Sequence, residues 1–305
     1  MRKMMAYLLA LLLSGAVTSC GFFADQETPE GYVRHCARIL DTGLYADSPQ
    51  WKTKKQEMLA AAKNFTTLDE ARAAVAEAAP VAGGKHSRLV GPVRDTAAYD
   101  EIAPEVKMLE GGVAYVLLPA HSAVKVSDSL YIHTVLDFLQ EHLDAAGFVI
   151  DLQKNSGGNM HPMIAAVSPL LPEGVILKFK TRRKTAPVTL QSVLRTAGVA
   201  ASPDRKAPVS APVAILTDDW TASSGEATLL CFRGLEHVRV FGKPTAGYAS
   251  ANVPTPLADG WKLLVTIACD VARTGEVFCD DPIDPDVPTE MPLEDALAWI
   301  RSRSH

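Results

Sequence analysis

Several common features are missing from this chain, and each absence narrows its function. Basic charge is not in excess: 30 Lys and Arg stand against 35 Asp and Glu, for a net charge of −5 and a pI near 5.9. With no basic stripe interleaved with aromatic residues, a nucleic-acid partner is not expected; the mild acidity leans instead towards a cationic peptide. Long apolar runs are scarce, and the one from Met4 to Leu13 is too short to span a bilayer comfortably. Cysteine is limited to five residues whose spacings do not read as a zinc site, and no cofactor motif is expected. There is no internal repeat or low-complexity block. The G-x-S-x-G elbow is also missing, which argues against a small-molecule esterase of α/β-hydrolase type. What remains is an ordinary globular composition, 48% hydrophobic and 21% charged, in 305 residues, enough for one large domain or two smaller ones.

The first residues read as an export signal. Arg2 and Lys3 precede the Met4–Leu13 run, and Val17-Thr18-Ser19-Cys20 follows. This resembles the bacterial lipoprotein processing box, in which the cysteine, here Cys20, becomes the lipidated N-terminus. Residues 1–19 are therefore expected to be a lipoprotein signal peptide and 20–28 a tether, so that acyl chains hold the exported protein at a membrane, either on the periplasmic face or at the cell surface. Export permits disulfides. Cys269 and Cys279 flank a hairpin with Arg273-Thr274-Gly275 at its tip, which suits a cross-strand bridge. Cys36 and Cys231 read as buried free thiols, with a second bridge as the alternative.

Taken in order, residues 29–88 carry helical periodicity in two or three helices. The last is opened by the capping box Thr67-Leu68-Asp69-Glu70 and is expected to stop before Pro80, placing Lys85-His86-Ser87 in a loop. Residues 89–305 then alternate strand and helix. Gly112–Leu118 and Gly147–Leu152 read as buried strands around an amphipathic helix at 125–146 that buries Leu130, Val135, Phe138, Leu139 and Leu143. A further helix starts near His161. This order predicts an α/β core with a parallel sheet. Thr181–Ala211 reads as a long excursion of the kind that covers a site, and the sheet resumes at Val213. Short strands follow near 238–241 and 262–267, and a final helix starts near Leu293.

Two turns stand out chemically. After Asp151 the chain reads Leu152-Gln153-Lys154-Asn155-Ser156-Gly157-Gly158-Asn159, at a strand's carboxyl end where open α/β sheets bind ligands; adjacent glycines there serve either a tight turn or close approach of backbone N–H groups to a substrate. After Val213–Leu216 comes Thr221-Ala222-Ser223-Ser224-Gly225-Glu226 on a strand-to-helix turn. There a serine is either an ordinary N-cap, Ser223 with Glu226 forming a capping box, or a nucleophile beside free N–H groups and the positive end of a helix dipole.

These segments, with Gly242-Lys243-Pro244-Thr245-Ala246-Gly247 and Ile283-Asp284-Pro285-Asp286-Val287-Pro288, resemble the core of the tail-specific, or C-terminal processing, serine peptidases of tricorn-core type, over roughly residues 30 to 300. The resemblance implies an α/β fold, a crotonase-like (ClpP/crotonase) α/β core with a small N-terminal helical cap. It also implies a peptide or protein substrate cut near its C-terminus. On that resemblance Ser223 is the nucleophile, with Ser224 as its rival. The N–H groups of Ser224 and of Gly157, or Gly158, form the oxyanion hole. The lysine base of many members falls on Tyr248 here, a poor base at neutral pH. Gly83-Gly84-Lys85-His86-Ser87 instead resembles the G-x-x-H-S loop of the histidine-using branch, which makes His86 the general base. His121 and His161 are the competing histidines. Asp280 or Asp281 is the candidate for orienting His86, and Glu226 is a supporting residue of the site. Only about twenty-five residues separate His86 from the Gly112 strand, leaving no room for a PDZ insert, as in the nisin-resistance-like branch. A scaffold of the same build that binds extended peptides or apolar ligands without cutting them is the alternative.

Overall fold

The computed structural model describes residues 27–92, 101–200 and 210–303. The expected leader, Cys20 and the tether up to residue 26 lie outside the described residues. Three helices come first: α1 (Pro29–Leu40), α2 (Pro49–Ala61) and α3 (Leu68–Gly83). Each starts on a hydroxyl that accepts a backbone N–H: Thr28 from Gly31 at 3.1 Å, Ser48 from Trp51 at 3.1 Å and Thr67 from Glu70 at 3.3 Å. Glu70 completes the expected capping box by accepting the Thr67 N–H at 2.9 Å. The expected stop before Pro80 is corrected, because α3 runs through Pro80 to Gly83. Burial of Ala78, Ala79 and Ala82 favours continuing the helix. Its last carbonyls are satisfied, that of Pro80 by Gly84 N–H and that of Ala82 by Tyr45 N–H, both at 2.8 Å.

The strands that follow are β1 (Arg88–Val90), β2 (Glu105–Leu109), β3 (Val113–Leu117), β4 (Gly147–Asp151), β5 (Val175–Thr181) and β6 (Thr185–Thr189). After them come β7 (Val213–Thr217), β8 (Val238–Gly242), β9 (Ser250–Pro256), β10 (Lys262–Val271), β11 (Val277–Phe278) and β12 (Val287–Pro288). Five more helices complete the chain: α4 (Asp128–Glu141), α5 (Met160–Ala166), α6 (Leu190–Thr196), α7 (Ser224–Phe232) and α8 (Pro292–Arg303). The fold is mixed α/β with a small helical region at its N-terminal end.

The central sheet has the order β12-β8-β7-β4-β3-β2, parallel except for β2, as the alternation of elements predicts. Its middle strands are continuous apolar runs because both faces are covered. Phe148, Ile150 and Ile215 pack on one side with Val135 and Leu139 of α4, Ile164 of α5 and Leu230 of α7. Val149, Ala214 and Leu216 pack on the other side with Ala296 and Ile300 of α8. The expected inward face of α4 needs one correction. Leu130, in the first turn, is 54% exposed, and Tyr131, Ile132, Val135, Leu136 and Leu139 point inward.

A second sheet did not show in the sequence pattern. Its axis is β10, which pairs antiparallel with β1, β5, β9 and β11, and β6 extends it beyond β5. The excursion expected from Thr181 thus begins as a β5–β6 hairpin and continues into α6; residues 201–209 are outside the described set. The β9 strand escaped notice because Pro254 and Pro256 interrupt it, which an edge strand paired only with β10 tolerates. The helical region sits on this sheet: Tyr32, Trp51 and Val75 share a core with Leu263 and Val265 of β10. The Cys269–Cys279 disulfide joins β10 to β11, whereas Cys36 and Cys231 are free and buried.

Candidate active site

Ser223 lies on the turn from β7 into α7 with φ 53° and ψ −113°, a backbone conformation that L side chains rarely adopt. Such strain persists only where surrounding contacts fix it, and here they are strong. Ala222 N–H donates to the Asn155 carbonyl at 2.9 Å, and Thr221 Oγ1 donates to the Leu152 carbonyl at 2.8 Å. Both bonds tie the serine turn to the loop after β4. From below, the fully buried Glu226 carboxylate accepts the Ser223 N–H at 2.8 Å. The same carboxylate accepts the N–H groups of Gly247 at 2.9 Å and Tyr248 at 2.7 Å, and the Thr245 hydroxyl. Burial pushes the Glu226 carboxyl above its usual range, and the Thr245, Ser223, Tyr248 and Gly247 bonds oppose that. Glu226 therefore fixes the serine's backbone and the 245–248 turn together through its carboxylate, and Ser223 with Glu226 forms the capping box expected from the sequence. Glu226→Gln puts an N–H₂ where only acceptors fit. It is expected to cost about 2–4 kcal/mol of stability by denaturant melting, with a fall in kcat larger than any rise in KM.

The glycine pair faces this turn. A Cβ on Gly157, at φ 100°, would lie 2.8 Å from Ser223 Cβ, and one on Gly158, at φ 122°, would collide with the His121 carbonyl oxygen. Only glycine lets the loop come this close. Gly157 N–H is already engaged, donating to Asn155 Oδ1 at 2.9 Å, so it is not a free donor. The next peptide is different. Its carbonyl, that of Gly157, accepts the His121 N–H at 3.0 Å, and a planar trans peptide then directs the Gly158 N–H the opposite way. Gly158 and Ser224 line one cavity of about 310 Å³ with Ser223. Among the described residues, neither the Gly158 N–H nor the Ser224 N–H, at the helix N-terminus, has a backbone or side-chain acceptor. The Ser224 hydroxyl donates to the Gly158 carbonyl at 2.7 Å, which makes it a brace for the glycine loop.

A buried acid supports that loop from outside. The Glu101 side chain, 1% exposed, accepts the N–H groups of Ser122 and Lys125 at 2.6 Å and of Val124 and Val126 at 2.9 Å. Burial opposes its ionisation, but the Val126, Lys125 and Ser122 bonds and the nearby His121 hold the carboxyl down at about 2. His121 itself is buried, with Nε2 2.7 Å from Asp128 Oδ1, and its backbone grips Gly157 and Asn159. Glu101→Ala is expected to destabilise the protein by about 2–3 kcal/mol and lower kcat without a matching change in KM. Paired melting and kinetic measurements check this.

His86 lies in the loop expected for it and is only 5% exposed. β1 pairs with β10, and Ser87 Oγ accepts the Thr266 N–H at 2.9 Å, so the loop is pinned to the second sheet. His86 Nδ1 is 2.9 Å from Ser250 Oγ, and the ring stands edge-on to Tyr248 at 5.2 Å between centroids. Burial, then the Arg88 charge, pushes the imidazole down to about 4, and the Lys85 charge adds to this while Ser250 opposes it. His86 and Ser223 are not hydrogen-bonded to each other. They are linked through Glu226, which holds Ser223 and Tyr248, and through Ser250, which faces the Ser223 cavity. The expected orienting acids are not at the imidazole. Asp280 accepts the Tyr45 hydroxyl at 3.3 Å, and neither Asp280 nor Asp281 is bonded to His86; Ser250 occupies that role. His161 lines the Ser223 cavity, its pKa lowered by burial, with Nδ1 3.2 Å from Asn159 Oδ1. Among the described residues no cluster of His, Cys, Asp and Glu could hold a metal ion.

A strained serine at a helix N-terminus, with unengaged N–H groups beside it in a cavity, is an arrangement suited to acyl transfer, and relatives supply the class of the protein. Residues 112–289 match the model of peptidase family S41. The nisin-resistance protein of Lactococcus lactis subsp. lactis is 32% identical over 282 residues, 90% of this chain and 88% of that protein. The carboxy-terminal processing protease CtpA of Bacillus subtilis (strain 168) is 23% identical over 208 residues, 68% of this chain and 41% of that protein. Among solved structures, a lipoprotein from Streptococcus agalactiae superposes with a TM-score of 0.80 at 30% identity, covering 90% of this chain and 97% of that one. The protein is a serine-type peptidase. It belongs to peptidase family S41.

Proposed function

We propose that this peptidase is an exported, lipid-anchored endopeptidase that cuts peptides or proteins near their C-termini through a Ser223–His86 dyad. The observation that carries the proposal is the strained Ser223 turn facing the unengaged Gly158 and Ser224 N–H groups across one cavity. Ser223 Oγ attacks the scissile carbonyl as His86 takes its proton, and the tetrahedral oxyanion rests on those two N–H groups. Collapse expels the amine, which leaves with the proton from His86. Water, deprotonated by the same imidazole, then releases the acid and restores the serine. Glu226 acts as a positioning residue, and Gly157 shapes the loop.

The proposed organisation is a tether at 20–28, a helical cap at 29–88 and a protease core at 89–305. Lipidation of Cys20 is supported by the Val17-Thr18-Ser19-Cys20 sequence and by likeness to a lipoprotein of known structure. Among the described residues no helix is long and apolar enough to cross a membrane. The processing relative supports cleavage near a C-terminus. Incubating the protein with a defined peptide library and reading the products by mass spectrometry should give cuts clustered near C-termini. In cells, Cys20→Ala should release it from the membrane fraction. Cuts scattered along the peptides would overturn the positional reading, and a Cys20→Ala protein that stays membrane-bound would overturn the anchor.

A further inference from the structure

Asp270 has no place in the mechanism above, yet it stands in the same cavity as Ser223. It lies on β10, paired with Phe179 of β5 and Phe278 of β11, beside the half-cystine Cys269. The residue is 2% exposed, and its Oδ1 is buried without a hydrogen-bond partner. No described residue forms an ion pair or a side-chain hydrogen bond with it. Arg273, three residues further on, donates instead to the carbonyls of Val175 and Cys231. The other acid close enough to act on it is Glu226, whose oxygens are already taken by four donors.

A buried carboxyl with nothing to satisfy it is costly unless a ligand supplies the partner. The shape of the cavity shows what that partner is. Met160, Phe179, Ala227 and Ala251 give it apolar walls, and Ser223 and Ser224 form the reacting edge. Asn159, His161, Ser250 and Asn252 add polar groups, and no described Lys or Arg lines it. A cavity with apolar walls on one part of its lining and an unpaired acid in it fits a long aliphatic stem ending in a cation. Fully burying an ammonium or guanidinium requires a negative partner of this kind.

We propose that Asp270 is a specificity-determining residue that selects a lysine or arginine side chain of the substrate, held in the Ser223 cavity with its cationic end on the carboxylate. This rests on the peptidase reading of Ser223, and it adds the chemical class of the side chain that the site accepts. Burial, then the nearby Glu226 charge, raises the Asp270 carboxyl well above its usual range, and a cation entering beside it favours loss of the carboxyl proton to solvent and an ion pair.

The test uses the full chain in detergent with peptides identical except for lysine, arginine or the uncharged isostere norleucine, placed in turn at each position within three residues of the cut. Wild type should prefer the basic residue at one position by on the order of 100-fold in kcat/KM. Asp270→Asn should bring the ratio of lysine to norleucine close to one. Because Asp270→Asn removes a buried group, a second measurement needs no change at that residue. Calorimetric binding of the same peptides to Ser223→Ala should show tighter binding of the lysine peptide, with a binding heat that varies with the buffer's ionisation enthalpy as proton release requires. Equal handling of lysine and norleucine by wild type, or a preference that survives Asp270→Asn, would overturn the proposal. Labelling by a fluorophosphonate separates the two readings. A labelled Ser223 without basic preference sinks the specificity alone, whereas an unlabelled Ser223 with lysine-selective binding sinks the dyad and leaves the pocket.

Discussion

Ser223→Ala is expected to lower kcat/KM by about 10,000-fold or more and to abolish fluorophosphonate labelling. The prediction follows from the division of labour between two adjacent hydroxyls. Ser224 Oγ is committed to the Gly158 carbonyl at 2.7 Å. The Ser223 hydroxyl is carried on a backbone that the chain holds in a rare conformation, at φ 53°. Strain of that kind costs about 1–3 kcal/mol and is kept where it aims a side chain. Ser224→Ala should therefore behave differently, with a fall of roughly 10-fold as the brace on the Gly158 peptide loosens and the oxyanion donor loses its aim. If labelling persists in Ser223→Ala and disappears in Ser224→Ala, the two serines exchange roles and the strained turn is only structural. Intact folding of Ser223→Ala is expected, because the bonds that shape the turn come from its backbone and from Glu226, Asn155 and Thr221.

Legibility in the sequence followed the range of the contacts. Capping boxes, buried parallel strands and the strand-to-helix serine turn are local patterns, so Thr67 with Glu70, Val213–Thr217 and Ser223 could be read directly. The second sheet was opaque, because β10 joins segments as distant as Arg88 and Leu264, and its partner β9 carries prolines. The orienting group for His86 was missed for the same reason: Ser250 is 164 residues away and carries no motif. Asn155 was visible within a motif but had no assigned task. Its side chain joins Leu118 to the glycine loop and its carbonyl holds Ala222, which makes it the hinge pin between the two turns. The residue taken as a weak substitute base, Tyr248, gives its N–H to Glu226 and its ring to two neighbours, His86 and the Lys85 ammonium 4.5 Å from its centroid. The position of the usual lysine has become part of the wall that buries the histidine.

His86→Ala is expected to reduce kcat/KM by about 1,000-fold, since a positioned base contributes on the order of 100- to 10,000-fold. His161→Ala should reduce it far less, even though His161 lines the same cavity, because its Nδ1 is held by Asn159 in the turn that starts α5. The pH profile distinguishes the two histidines more finely. Burial and the Arg88 charge bring the His86 imidazole down to about 4, so it stays neutral and able to accept a proton well below the usual histidine range. The acid limb of kcat/KM should then fall near pH 4, not near 6.5, and activity should be flat between. Removing the nearby charge with Arg88→Gln should shift that limb upward, towards the ordinary value. The same depression has a cost to stability. An unfolded chain takes up a proton on this histidine as pH falls below about 6.5, whereas the folded protein does so only near 4, so the contribution of His86 to stability is lost progressively across that window. An acid limb at 6.5 in wild type that does not respond to Arg88→Gln would place the working base elsewhere. The limb would then have to disappear in His161→Ala if His161 were that base.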